Sequence, residues 1–227
     1  MKIFGIQKLT LIDYPGKTAA TVFISGCDFF CPYCHNAESL NEQNPVSIEK
    51  QEVLDFLNTR KKLLDGVCIS GGEPLNQSGI EELLKEIKSI GYEIKLDTNG
   101  NNPKLLKQLA ENKLIDYIAM DIKNSLQNYA KTIGIENFNT TNVQKSAQYL
   151  QNGTTPYEFR TTIIHELHTP EDIHQIGKWL SGANKYYLQK FKNTNEVPQK
   201  NLIPPTDKAM NEFYNILTTY DINVYIR

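Results

Sequence analysis

From residue 19 onward the chain alternates short apolar runs with amphipathic ones, and this pattern constrains the fold more than any other feature. Strands are expected at 19–24 (AATVFI), 66–70 (GVCIS), 92–97 (YEIKLD), 116–122 (DYIAMDI), 157–164 (YEFRTTII) and 185–189 (KYYLQ), with a last one at 222–226 (INVYI). Helical spacing fills the intervals at 47–60, 79–90, 103–112, 142–151, 169–180 and 206–218. In the first of these Ile48, Val53, Leu54 and Leu57 share one face, and Ser47 is the expected N-cap. In the second Ile80, Leu83, Leu84 and Ile87 stay in register, and Pro103 is well suited to open the third. Such alternation implies a parallel sheet with right-handed crossovers. A barrel-like (β/α) array and an open doubly wound sheet both satisfy it. In either, chemistry sits at the C-terminal edge of the strands, where Ser70, Asp97 and Asp121 fall. The polar, proline-rich stretch 193–205 is expected to be a loop near that edge.

At 227 residues the chain can bury a sizeable core without disulfides, and it is expected to be one domain with a short N-terminal extension at 1–18. Lys and Arg number 24 against 26 Asp and Glu, which excludes a general nucleic-acid coat protein, because sequence-independent phosphate binding needs excess positive charge. No run approaches the roughly 20 apolar residues of a membrane span. The first residues lack an apolar core and a small-residue cleavage site, so a cytoplasmic location is expected, without nucleic-acid or membrane partners.

In a reducing compartment, clustered cysteines point to metal or redox chemistry. Three of the four cysteines, Cys27, Cys31 and Cys34, fall in one Cys-x3-Cys-x2-Cys run just after the first apolar strand. Thiolate suits zinc or an iron–sulfur cluster. A closed zinc site needs a fourth ligand, and His35, next to Cys34, reaches that role only with strained geometry. A cluster held by three thiolates instead leaves one iron open to substrate or cofactor. Cys68, on a later strand, lies outside the triad.

Three further motifs join the triad: Ser70-Gly71-Gly72-Glu73-Pro74, Asp97-Thr98-Asn99-Gly100 and Met120-Asp121-Ile122-Lys123. Read singly, the glycines would be a turn, Glu73 a helix-entry carboxylate, and Lys123 or Arg160 a salt-bridge partner of the aspartates. Together with Tyr33 before the third cysteine, they resemble the radical S-adenosylmethionine superfamily, and within it the glycyl-radical-enzyme activases. Leu11-Ile12-Asp13-Tyr14-Pro15-Gly16-Lys17 and Cys34-His35-Asn36 are similar to the longer form of anaerobic ribonucleoside-triphosphate reductase activating protein.

The resemblance implies a partial (β/α)6 TIM-like barrel of parallel strands. It implies a [4Fe–4S] cluster on Cys27, Cys31 and Cys34, with S-adenosylmethionine chelated at the open iron. Gly71, Gly72 and Glu73 would border the methionine amino group, and Tyr33 would stack on the adenine. Lys123 and Arg160 would lie near the carboxylate or ribose. Asp97 and Asp121, with Thr98 and the Ala119 carbonyl, would hold a monovalent cation. The implied partners are a glycyl radical enzyme, anaerobic ribonucleotide reductase foremost, and a flavodoxin-like electron donor. A small-molecule substrate for the same chemistry and a non-catalytic zinc module are the competing readings. Gln189 is expected at the cofactor pocket, and His165, His168 and His174 are expected to face solvent.

Overall fold

Residues 1–40 and 47–227 are described in the computed structural model. Eight strands follow one another in both chain and sheet order: β1 (Ile3–Thr10), β2 (Ala19–Ile24), β3 (Gly66–Gly71), β4 (Glu93–Thr98), β5 (Tyr117–Asp121), β6 (Tyr157–Ile163), β7 (Tyr186–Lys190) and β8 (Val224–Ile226). From β2 to β8 every pairing is parallel. The helices of the crossovers are α2 (Lys50–Thr59), α3 (Ile80–Ile90), α4 (Pro103–Glu111), α6 (Thr141–Asn152), α7 (Pro170–Trp179) and α8 (Asp207–Thr218), with short α1 (Ala37–Leu40) and α5 (Tyr129–Ile133) between. The parallel array is an open, TIM-like partial barrel, because β1 and β8 lie at opposite ends of the sheet and do not pair.

Each crossover folds for local reasons. Val53, Leu54 and Leu57 bury one side of α2, and Ile80, Leu83, Leu84 and Ile87 bury one side of α3. Asn102 accepts from the Leu105 amide to open α4, and Thr206 does the same for α8 through Ala209. Thr169 and Asp172 form a reciprocal capping box ahead of α7, with Pro170 at its first turn. The cap expected at Ser47 moves to Glu49, which caps with its backbone alone.

Residues 1–18, expected as a short N-terminal extension, supply β1, antiparallel to β2, and the loop 11–18 that follows it. There Tyr14 is buried beside Gly66 and Tyr117, and Lys17 pairs with Glu93 at 2.7 Å. The strand is hard to read from sequence because Gln7, Lys8 and Leu9 are all exposed, so no two-residue alternation marks it.

Strand alternation gives the barrel two faces. Ile69, Leu96, Met120 and Phe159 are fully buried in the hydrophobic core. Ser70, Asp97, Asp121 and Arg160, on the opposite parity, turn into the lumen.

Candidate active site

The lumen opens at the C-terminal strand ends into a cavity of about 640 Å³, lined by all three cysteines of the run, the Gly71-Gly72 turn, and the strand-end charges. Its far wall includes Ile12 and Asp13 of the 11–18 loop, where Asp13 accepts from the Thr21 hydroxyl at 2.6 Å.

The cysteine loop leaves β2 and is tied down at several points. The Phe30 amide donates to the Ile133 carbonyl at 2.9 Å, and the Asn36 amide side chain to the Gly71 carbonyl at 2.9 Å. Asp28 accepts from Asn99 at 2.8 Å and from Asn101 at 2.7 Å, which binds the loop to the turn after β4. Asn99 also reaches the Cys27 sulfur at 3.9 Å. The 193–205 stretch has neither helix nor strand, and it docks on this loop through Gln199 and Pro32. Burial pushes the Cys27 thiol up to about 12 and raises Cys31 and Cys34 as well, while nearby Lys123 pulls all three the other way. Buried thiols of this kind ionise only when a cationic centre takes their charge, which is what iron supplies. Among the described residues no three His, Cys, Asp or Glu side chains are grouped closely enough to hold a single metal ion. Three soft thiols facing one roomy cavity suit a polynuclear iron–sulfur core.

The glycine turn is dictated by backbone crowding. A Cβ on Gly71 would strike Ile24, and one on Gly72 would strike the Gly26 carbonyl, just ahead of Cys27. The Gly72 amide donates to Ile24 and the Glu73 amide to Gly26, each at 2.8 Å. The Glu73 side chain caps the short 3-10 turn Pro74–Asn76 through the Leu75 amide at 3.1 Å. It also accepts from the Thr98 hydroxyl at 2.7 Å and the Asn99 amide at 2.6 Å. Burial pushes this carboxyl up to about 7 against those three donors. Glu73 borders the cavity, but its oxygens are engaged from behind and tie the β3 turn to the β4 turn.

The charged group is continuous. Lys95, only 1% exposed, pairs with Asp97 and reaches the Cys68 sulfur at 3.8 Å. Arg160 bridges the two aspartates, at 3.4 Å from Asp97 and 2.8 Å from Asp121. Lys123 holds the other Asp121 oxygen at 3.0 Å, and Ser70 donates to Asp97 at 3.0 Å. Burial opposes ionisation of Asp121, yet Arg160 and Lys123 outweigh it and hold the group near about 2; Asp97 is lowered likewise by Arg160 and Lys95. Lys123 and Arg160 are in turn raised by the carboxylates despite their burial. At the place where a monovalent cation is expected, both carboxylates already accept from side chains of the chain. The Thr98 hydroxyl is also spent, donating to Glu73 and accepting from the Gly100 amide.

The remaining expectations divide. Tyr33 is 4% exposed and, like Gln189 and His35, lines the cavity. Cys68 is buried on β3 away from the cysteine loop. His165 is exposed, but His174 is half-buried on Tyr220 at 3.0 Å, and His168 is buried. Nδ1 of His168 accepts from the Ile164 amide at 3.1 Å, so Nε2 donates to the Lys123 carbonyl at 2.9 Å and fixes the backbone of a site residue. Burial lowers its pKa and keeps the ring neutral. Lys95 and the Asp28–Asn99–Asn101 clamp were not foreseen. The available signal was parity: Lys95 stands two residues before Asp97 on one strand.

The radical SAM superfamily model matches residues 21–180. A protein of Methanocaldococcus jannaschii named as a glycyl-radical enzyme activating enzyme is 33% identical, over 99% of this chain and 95% of its own. The pyruvate formate-lyase-activating enzyme of Staphylococcus epidermidis is 27% identical, over 93% of each chain. Among solved structures, Streptococcus suis SuiB bound to S-adenosylmethionine superimposes with a TM-score of 0.70 at 15% identity, covering 90% of this chain and 48% of that one.

Proposed function

The chain belongs to the radical SAM superfamily as an enzyme of the glycyl-radical-enzyme activating type, and from that premise we propose that it installs a glycyl radical on anaerobic ribonucleoside-triphosphate reductase. S-adenosylmethionine and a [4Fe–4S] cluster are the cofactors of such an enzyme. Together they supply, when bound and reduced by one electron, a 5′-deoxyadenosyl radical that removes one hydrogen atom from a glycine Cα.

In this reading Cys27, Cys31 and Cys34 anchor the cluster, and the Asp28 clamp keeps their loop registered against the β4 turn. The cavity walls then sort the parts of S-adenosylmethionine by chemistry. Gly71 and Gly72 present backbone to the amino group, Tyr33 presents a ring to the adenine, and Lys123 and Arg160 present positive charge to the carboxylate. Asp97 and Asp121 hold those cations in place, and no added monovalent cation takes part. The chain's part in the chemistry is positional, holding a reactive carbon against one hydrogen and shutting out others. The observation that carries the reading is that three thiols of one loop share a cavity with the glycine turn and the strand-end cations. The 11–17 run, whose Ile12 and Asp13 reach that cavity, supports the choice of reductase as partner. A flavodoxin-like protein is the proposed electron donor.

The test is anaerobic reconstitution with iron and sulfide, then dithionite and S-adenosylmethionine. The expected product is 5′-deoxyadenosine, and addition of the reductase gives a glycyl EPR doublet. Replacing Cys27, Cys31 or Cys34 with Ala abolishes cluster assembly, whereas Cys68→Ala leaves it intact. A triad variant that keeps its cluster refutes the ligand assignment, and cofactor cleavage without a doublet refutes the partner.

A further inference from the structure

We propose that Lys95 is a built-in cation of the active site, and that it frees this enzyme from any need for sodium or potassium there. The first argument is the placement of the ammonium. Lysine is rarely fully buried, and a buried ammonium persists only when paired. Lys95 is 1% exposed, and its partners are Asp97 and the Cys68 sulfur. It points into the lumen from the strand that carries Asp97, so the backbone itself sets the contact.

The second argument is occupancy: every carboxylate oxygen of the pair already accepts from the chain. Asp97 receives Lys95 on one oxygen and Ser70 and Arg160 on the other. Asp121 receives Arg160 on one oxygen and Lys123 on the other. All four carboxylate oxygens therefore have donors from the chain. The Thr98 hydroxyl is directed to Glu73 and so is withdrawn as well.

The third argument is charge. Lys95, Arg160 and Lys123 carry three positive charges in this ion-paired group against two negative ones on Asp97 and Asp121. The surplus of one positive charge matches the single carboxylate of S-adenosylmethionine. A sodium or potassium ion would add a second surplus charge in a poorly solvated lumen, where like charges repel strongly. Without Lys95 the group would be neutral, and an added cation would restore the balance. Lys95 is thus a positioning residue: it acts through Asp97, which in turn orients Arg160.

The affinity part of this inference rests on the reading of the cavity as the S-adenosylmethionine site; the cation part does not. The experiment uses the cluster-loaded enzyme in sodium, potassium or choline chloride at matched ionic strength. Three quantities are read: the midpoint of thermal unfolding in each salt, the broadening of the sodium-23 NMR line in sodium chloride, and the dissociation constant for S-adenosylmethionine by calorimetry in each salt. The wild type should show the same midpoint and the same dissociation constant in all three salts, and no protein-dependent broadening of the sodium line. Lys95→Met should bind S-adenosylmethionine roughly tenfold more weakly in choline than in sodium or potassium. It should also gain a sodium-selective rise in midpoint and line broadening. Should Lys95→Met fail to fold because Asp97 loses its partner, Lys95→Met/Asp97→Asn removes both charges, and it is expected to fold and to ignore the salt. A wild type whose midpoint or sodium line responds selectively to sodium or potassium overturns the proposal, whether or not S-adenosylmethionine binds. A folded Lys95→Met with no response to any salt overturns it equally. Absence of S-adenosylmethionine binding in every salt, with the cation responses as expected, refutes the cofactor reading and leaves the built-in cation standing.

Discussion

Raising the pH from about 5 to about 8 should destabilise the folded chain through Glu73. This carboxyl is 1% exposed, and three donors reach it: the Leu75 amide, the Thr98 hydroxyl and the Asn99 amide. Those bonds favour the ion, but burial is the larger influence and pushes the group up from 4.5 to about 7. Between those two values the folded chain holds a proton that the unfolded chain has released. Stability is therefore greatest below the unfolded value, falls as the pH climbs through the interval, and levels off above about 7. The gap corresponds to roughly 3 kcal/mol, a large share of an ordinary domain's stability. Asp121 behaves oppositely. Its low value adds stability above the ordinary carboxylate range, which is lost only as the pH falls toward about 2, so it stays constant across this window.

The assay is urea unfolding of the metal-free, thiol-reduced chain, with Glu73→Gln alongside. Gln does not titrate, so its offset from the wild type should move by roughly 3 kcal/mol in the variant's favour between about pH 5 and about pH 8. Comparing the two chains cancels every other titrating group that they share. A constant offset would show that Glu73 is ionised in the folded chain throughout this window, as it is in the unfolded chain. An offset moving in the wild type's favour would show that the three donors outweigh burial, reversing the reasoning.

Two more variants probe how the cysteine loop is held. Gly72→Ala drives a methyl into the Gly26 carbonyl, and the strain, roughly 1–3 kcal/mol, falls on the backbone that leads into Cys27. The iron content per chain should drop more than the unfolding midpoint does; full loading at unchanged midpoint would mean the crowding is not real. Asp28→Ala removes two hydrogen bonds to an ionised acceptor, worth roughly 1.5–3 kcal/mol each before solvent compensation at this half-buried site. It should speed loss of iron to a chelator several-fold with secondary structure intact, and an unchanged rate would remove the clamp from the account.

The parts of the site that could be read in advance are those whose meaning is local. The cysteine run needs only its own spacing, and the glycine turn and the two aspartates mark themselves by falling where a strand runs out. The parallel array was legible for a related reason, since buried strands such as AATVFI are apolar apart from Thr21 and stand out from their amphipathic neighbours. β1 failed the same test because it is an edge strand whose outer residues meet solvent on both parities. His168 was misread because nothing in its neighbourhood of sequence reveals that the Lys123 carbonyl, 45 residues away, will lie against it.

Lys95 is the most instructive omission. In YEIKLD it looks like a strand lysine facing water, which is where lysines in strands ordinarily lie. Its true environment depends on which face of the sheet becomes the lumen, and that is decided by where the helices pack, not by the strand. Yet Asp97, two residues on, was placed at the site from the outset, and side chains two apart on a strand share a face. Accepting Asp97 as a lumen residue therefore commits Lys95 to the lumen as well. A strand that sends a carboxylate into a closed interior must also send, or be met by, its counter-charge. Here the same strand provides both, so Asp97 enters the interior with its counter-charge already beside it.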